Sequence, residues 1–233
     1  MSFRMAALIG ASVMAMVQGV AAQDRTVVVE LFTSQGCSSC PPADTFLGEL
    51  AERPDVLALS LHVDYWDYLG WRDPFASPAI TARQRGYAAE QGTRSVFTPQ
   101  MIVDGRISAV GHRREDVFAA IAQAAAEEPR AVVELTEEGG RLAIRITPAR
   151  EGLRGVVHFI SYDHPKTQQI TQGENRGHTL SYTNVVTDWM TLGTWNGTEE
   201  VLTAPSPTMG RGVAVIVQDG PVGAVLAAAR LER

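Results

Sequence analysis

Apolar and polar residues alternate in two different rhythms along this chain. Thr26 to Phe32 is a β-branched and apolar run of strand length. From Asp55 to Val63, Leu57, Leu59, Leu61 and Val63 recur every second residue, which predicts a second strand. Between them, Phe46, Leu47 and Leu50 fall at helical spacing, predicting a helix over 43–53. Ser77-Pro78 opens another helix to about Glu90, with proline in the first turn where its missing N–H costs nothing. Pro99 to Val103, the Asp104-Gly105 turn and Ile107 to Val110 read as a hairpin. Val117, Phe118, Ile121 and Ala125 then mark a helix over 113–127. Strands alternating with helices predict an α/β domain whose sheet is covered on both faces.

After Glu127-Glu128-Pro129 the helical rhythm stops. Residues 131–135, 142–146, 155–162, 178–186, 213–217 and 222–228 read as short strands. Gly139-Gly140 and Asp219-Gly220-Pro221 mark turns, and Ala204-Pro205-Ser206-Pro207 a loop. Strands without intervening helices predict a mainly antiparallel, sandwich-like β domain over 129–233, following an α/β domain over 23–128.

The N-terminus changes where such a protein would work. Arg4, the apolar stretch from Met5 to Val17 and Val20-Ala21-Ala22 have the layout of a secretory signal over 1–22. The expectation is a periplasmic or secreted protein with no integral membrane span after cleavage. With 20 basic and 26 acidic residues the net charge is −6, which disfavours nucleic acid or an anionic membrane as partner.

Export gives the cysteines their meaning. The chain has two, Cys37 and Cys40, separated by Ser38-Ser39 and placed where the first strand hands over to the first helix. An oxidising compartment permits a disulfide, but closing so small a ring constrains the unfolded chain by only about 2 kcal/mol. A thiol at a helix start, by contrast, faces free backbone N–H groups and the positive end of the helix dipole. Both favour the reactive thiolate. The placement therefore reads as a redox centre, with protein thiols or disulfides as partners. Two rivals stand beside it. One is a non-catalytic binding module with a vestigial disulfide; the other is a Cu(I)-handling protein using both sulfurs with His62. No cofactor motif is present, and His158, His164 and His178 have no convincing metal spacing.

The segment from Thr26 to Ala126 resembles the thioredoxin superfamily. The resemblance rests on a strand, Cys-x-x-Cys at a helix start, Thr98-Pro99 opening a later strand, and Gly111 after the closing hairpin. The whole chain further resembles the DUF1223 family of exported bacterial proteins, through the string Val29-Glu30-Leu31-Phe32-Thr33-Ser34-Gln35-Gly36-Cys37-Ser38-Ser39-Cys40-Pro41-Pro42-Ala43-Asp44 and through Glu174-Asn175-Arg176-Gly177.

The thioredoxin resemblance implies an exposed attacking Cys37 and a more buried, resolving Cys40. It implies a cis Pro99 with Thr98 beside the sulfurs, ready to pair with an extended substrate strand. It also implies that Glu30, an acid within an apolar strand, relays protons to Cys40, although a structural pair with an arginine fits Glu30 equally. His62 and Asp64 end the second strand, as either a relay or a hydrogen-bonded pair, and helix-start packing accounts for His112. Tyr65, Trp66, Tyr68, Trp71 and Phe75 either cap the core or line a groove. The 174–177 string reads as a polar loop.

Overall fold

The structure is a computed structural model describing residues 25–163, 165–208 and 211–231, so the expected signal segment and His164 lie outside the described residues. Among the described residues, three α-helices, one 3-10 turn (Asp67–Leu69) and thirteen strands form a mixed α/β fold around one large, mostly antiparallel sheet. In chain order these are β1 (Val27–Thr33), α1 (Pro41–Ala51), β2 (Val56–His62), α2 (Pro78–Glu90), β3 (Gln100–Val103), β4 (Ile107–Val110) and α3 (Arg114–Ala125). Then follow β5 (Ala131–Glu138), β6 (Arg141–Pro148), β7 (Gly155–Asp163), β8 (Lys166–Gln169), β9 (Thr179–Tyr182), β10 (Val185–Trp195), β11 (Glu200–Pro205), β12 (Arg211–Gln218) and β13 (Val225–Leu231).

The large sheet runs β13-β12-β7-β10-β2-β1-β3-β4. β1 and β2 are parallel, which requires the crossover that α1 supplies. Strands from both sides of residue 129 share this sheet: β10 pairs with β2 at Val185 and Ser60, and Asn184 donates to the Ala58 carbonyl at 2.9 Å. The change of rhythm at 129 is therefore a change in what covers the sheet, not in the sheet itself.

Side-chain alternation sorts the two faces. Val28, Phe32, Leu57, Leu59, Leu61, Ile160, Tyr162, Ala214 and Ile216 point to one face, where α2 lies with Ile80 and Tyr87. On the other face, Val27, Val29, Leu31, Val56 and Ala58 pack under Phe46, Leu47 and Leu50 of α1 and Val117 and Ile121 of α3. Further along that face, Val157, Phe159, Val213 and Val215 meet Leu142, Ile144 and Ile146 of a separate three-stranded sheet, β11-β6-β5. Pro205, expected in a loop, ends β11 on the edge of that sheet, where its missing N–H breaks no pairing.

One buried polar network crosses the first face. Arg83 of α2 binds both carboxylate oxygens of Glu30, at 2.6 and 2.8 Å. Tyr87 donates to Glu30 at 2.6 Å, Gln218 of β12 donates to Tyr87 at 2.8 Å, and the guanidinium stacks 3.7 Å over Trp189 of β10. Every charge in it is paired and hydrogen-bonded, which is the condition under which a buried ion pair is tolerated.

Candidate functional site

β1 ends at Thr33 and the chain turns sharply before α1. The Cys37 N–H donates to the Ser34 carbonyl at 3.1 Å, and the Gly36 N–H to the Ser34 hydroxyl at 3.1 Å. A Cβ at Gly36 would lie 3.0 Å from the Trp66 Cβ, so any larger residue there would have to push Trp66 aside. Cys37 and Cys40 form a disulfide with Cα atoms 5.5 Å apart. Cys40 is the residue before α1, and its carbonyl already accepts the helical hydrogen bond from Asp44 at 3.1 Å. Pro41 and Pro42 occupy the first turn, where two N–H groups would otherwise lack partners.

Thr98-Pro99 is a cis peptide bond. The Pro99 carbonyl accepts from the Gly111 N–H at 2.9 Å. A Cβ at Gly111 would stand 3.1 Å from Pro99, Ala43 and Leu31 alike. Gly111 thus lets Pro99 approach the first turn of α1, directly after Cys40. The Thr98 hydroxyl accepts from the Trp66 indole N–H at 2.8 Å, and the Trp71 indole donates to the Gln35 side chain at 2.9 Å. The aromatic stretch therefore buttresses the cysteine turn from the side, while Tyr68 is 78% exposed.

Beneath α1 lies a polar chamber. Asp44 stands four residues after Cys40, on the same face of the helix, and helical side chains lean back toward the N-terminus. It is buried among Thr33, His62, Asp73 and Tyr182, the groups that act on its carboxyl or respond to it. The Thr33 hydroxyl faces the Asp44 carboxyl, while among the described residues His62 Nε2 and the Tyr182 hydroxyl have no hydrogen-bond partner. Burial pushes the Asp44 carboxyl up to about 7, outweighing the opposing pull of His62 and the Thr33 hydroxyl.

Asp73 behaves in the opposite way. Burial acts to raise its pKa, but the neighbouring His62 and the N–H groups of Gln35 and Phe75 hold it below the ordinary carboxylate range. Its Oδ2 meets His62 Nδ1 at 2.7 Å and accepts from Gln35 N–H at 2.9 Å. Asp73 thereby ties the imidazole to the start of the cysteine turn. Two acids flank one histidine, Asp73 held ionised and Asp44 poised to gain or lose its proton near neutral pH, which is the pattern of acid–base sites.

Two expectations need correction. Glu30 is on the face of β1 opposite α1, saturated by Arg83 and Tyr87, so the sheet separates it from Cys40. Cys37 is not exposed: it is 1% accessible, although Ser38 and Ser39 beside it are open to solvent. The loop joining β8 to β9 covers it. The Asn175 side-chain amide donates to the carbonyls of Gln35 at 2.9 Å and Cys37 at 3.0 Å, and the Ser38 N–H donates to the Glu174 carboxylate at 3.2 Å. The 174–177 string, read as a polar loop, contacts the backbone of the cysteine turn. Asp64 instead accepts from the Thr81 hydroxyl at 2.5 Å, and His112 is exposed. Sequence reasoning missed Asp44 and Asp73. Asp44 carried a signal, an acid on the helical stripe that holds Ala43, Leu47 and Leu50; Asp73 carried none.

Residues 28–218 match the family described as protein of unknown function, DUF1223. The chain belongs to the DUF1223 family. A crystal structure of a protein from Agrobacterium tumefaciens is similar to this DUF1223 chain at 33% identity and a TM-score of 0.77, covering 91% of this chain and 96% of that one. HBP35 of Porphyromonas gingivalis shares the fold alone, at 12% identity and a TM-score of 0.63, over 90% of this chain and 75% of that one. No curated protein matches the chain. Among the described residues, no helix is long and apolar enough to cross a membrane.

Proposed function

We propose that this DUF1223 protein is an exported thiol–disulfide oxidoreductase acting on protein cysteines through the Cys37–Cys40 couple, on a thioredoxin-like segment spanning 23–128. Two features support the reading: the disulfide closes at the start of α1, and a buried carboxyl group, Asp44, sits one helical turn behind it. A disulfide that only stabilises has no use for such a group, whose burial lowers stability whenever it ionises.

The chemistry balances with these groups alone. In the dithiol form, the Cys37 thiolate attacks a substrate disulfide, forming a mixed disulfide and expelling one substrate sulfur as thiolate. Cys40 then gives its proton to the Asp44 carboxylate and attacks the Cys37 sulfur. The Cys37–Cys40 bond reforms, the second substrate sulfur leaves, and the proton held by Asp44 passes to it. Substrate is reduced by two electrons and the protein is oxidised by two. The reverse direction uses the same steps, and the relative potentials decide which one runs. Thr98 and Pro99 border the cysteine turn, where backbone groups could pair with an extended substrate segment.

The test is catalysis of disulfide reduction in a protein substrate such as insulin, driven by dithiothreitol. Wild type is expected to accelerate turnover, and a Cys37→Ser/Cys40→Ser double variant to show only the uncatalysed rate. Equal rates for the two folded proteins would refute the proposal. The cover over Cys37 favours a second reading, in which the disulfide is a permanent clasp within a binding module. That reading predicts equal rates.

A further inference from the structure

A redox centre whose attacking cysteine is 1% accessible as a residue is closed to a protein substrate in this conformation. The loop that lies against the cysteine turn is a small unit closed on itself. The loop between β8 and β9 is closed at its base by Ile170 N–H to His178 carbonyl at 2.9 Å and Gly177 N–H to Ile170 carbonyl at 2.8 Å. Ile170 is itself fully buried and anchors that base. The tip is bracketed by Gly173 and Gly177, at φ 75° and 88°, where side-chain-bearing residues are strained. Between them, Glu174 and Asn175 make the polar contacts to the cysteine turn described above. The outer flank of the tip, at Gln172, Glu174 and Arg176, borders an open cleft of about 740 Å³ whose other wall is Leu69 and Gly70.

The choice of contacts is informative. Asn175 takes up the two carbonyls that flank the turn, Gln35 and Cys37. Glu174 takes the Ser38 N–H, the donor next to Cys37, and places a negative charge where a thiolate would form or arrive. The first contact pins the loop tip against the backbone of the cysteine turn. The second opposes an anionic sulfur at the same place, because like charges at close range disfavour one another.

We infer that Glu174 and Asn175 are positioning residues that gate the Cys37–Cys40 disulfide, holding it closed to thiols until the loop tip lifts away from the cysteine turn. The gate serves the exchange reaction proposed above, and it is tested by access to the sulfur, not by turnover. The full mature chain, oxidised, is treated with an uncharged trialkylphosphine and, separately, with a negatively charged phosphine. In each case the phosphine is oxidised to its oxide, water supplies the oxygen, and the S–S bond opens to two thiols.

Asn175→Ala is expected to raise the rate constant with the uncharged phosphine by about tenfold, the scale of losing ordinary hydrogen bonds. Glu174→Gln is expected to raise the rate with the charged phosphine more than with the uncharged one. It should also lower the pKa of the Cys37 thiol in the reduced protein. Glu174 is exposed, so its substitution keeps the fold and its result stands even where Asn175→Ala destabilises the loop. Wild-type rates with both phosphines and an unmoved Cys37 pKa in Glu174→Gln would overturn the gate. A faster phosphine reaction with no insulin turnover would leave the gate standing and remove the oxidoreductase.

Discussion

Asp44→Asn is expected to make the protein more stable at pH 8 by about 4 kcal/mol and to leave it nearly unchanged at pH 3. The fold raises the Asp44 carboxyl from 3.8 to about 7, chiefly by burying it. Raised affinity means that the folded chain holds a proton the unfolded chain has released. The stabilising contribution is complete below the unfolded value and disappears as pH climbs to the folded one. Each pH unit in that window removes about 1.4 kcal/mol. The amide cannot ionise, so the variant's stability stays flat across the window while the wild type's falls.

Urea unfolding at several pH values reads the difference directly. A second readout separates chemistry from stability. With Asp44 as the proton acceptor for Cys40, Asp44→Asn slows insulin turnover and removes the limb of its pH profile near neutrality. Glu30→Gln, on the opposite face of the sheet, leaves that limb in place. An Asp44→Asn variant that loses stability at pH 8 would mean that the carboxyl is ionised and paired in the fold.

Cys40→Ser is expected to trap its substrate. Cys37 then attacks but nothing resolves the mixed disulfide, so a covalent adduct accumulates and runs as a higher band without reductant. Cys37→Ser accumulates none. The asymmetry follows from position: both cysteines are buried, but Cys37 stands in the turn beside exposed Ser38 and Ser39, whereas Cys40 is the residue that opens α1, one turn ahead of Asp44. Adducts formed equally by both variants would reverse or abolish the assigned roles, because thiolate character and access together decide which sulfur attacks.

Much of the first half was legible because its signals are local. The alternation of Leu57, Leu59 and Leu61, the helical spacing of Phe46, Leu47 and Leu50, and the Asp104-Gly105 turn each report their own element, and the structure has all of them. The second half hid its longest strand. β10 carries register shifts between Val186 and Asp188 and between Thr191 and Gly193, which break the two-residue rhythm. α2 concealed its buried face for a different reason. That face includes Thr81, Arg83 and Gln84, polar residues satisfied only by partners elsewhere, such as Glu30 and Gln100.

The site divided in the same way. Cys37, Cys40, Thr98 and Pro99 were readable from short motifs. The meeting of Asp44, His62 and Asp73, and the arrival of Asn175 over Cys37, depend on pairings 11 to 138 residues apart that no local pattern encodes. The acid in the first strand drew attention because it interrupts an apolar run. Its facing direction, set by the two-residue period of β1, sends it to Arg83 and away from the sulfurs.

The central claim is that the Cys37–Cys40 bond cycles, and equilibrium titration of the wild-type protein in dithiothreitol or glutathione buffers measures this most directly. The account predicts a reversible two-electron transition at a potential above about −300 mV, the range of exchanging disulfides. A couple that stays oxidised to well below that value, in a protein that remains folded, would mark a permanent clasp and contradict it.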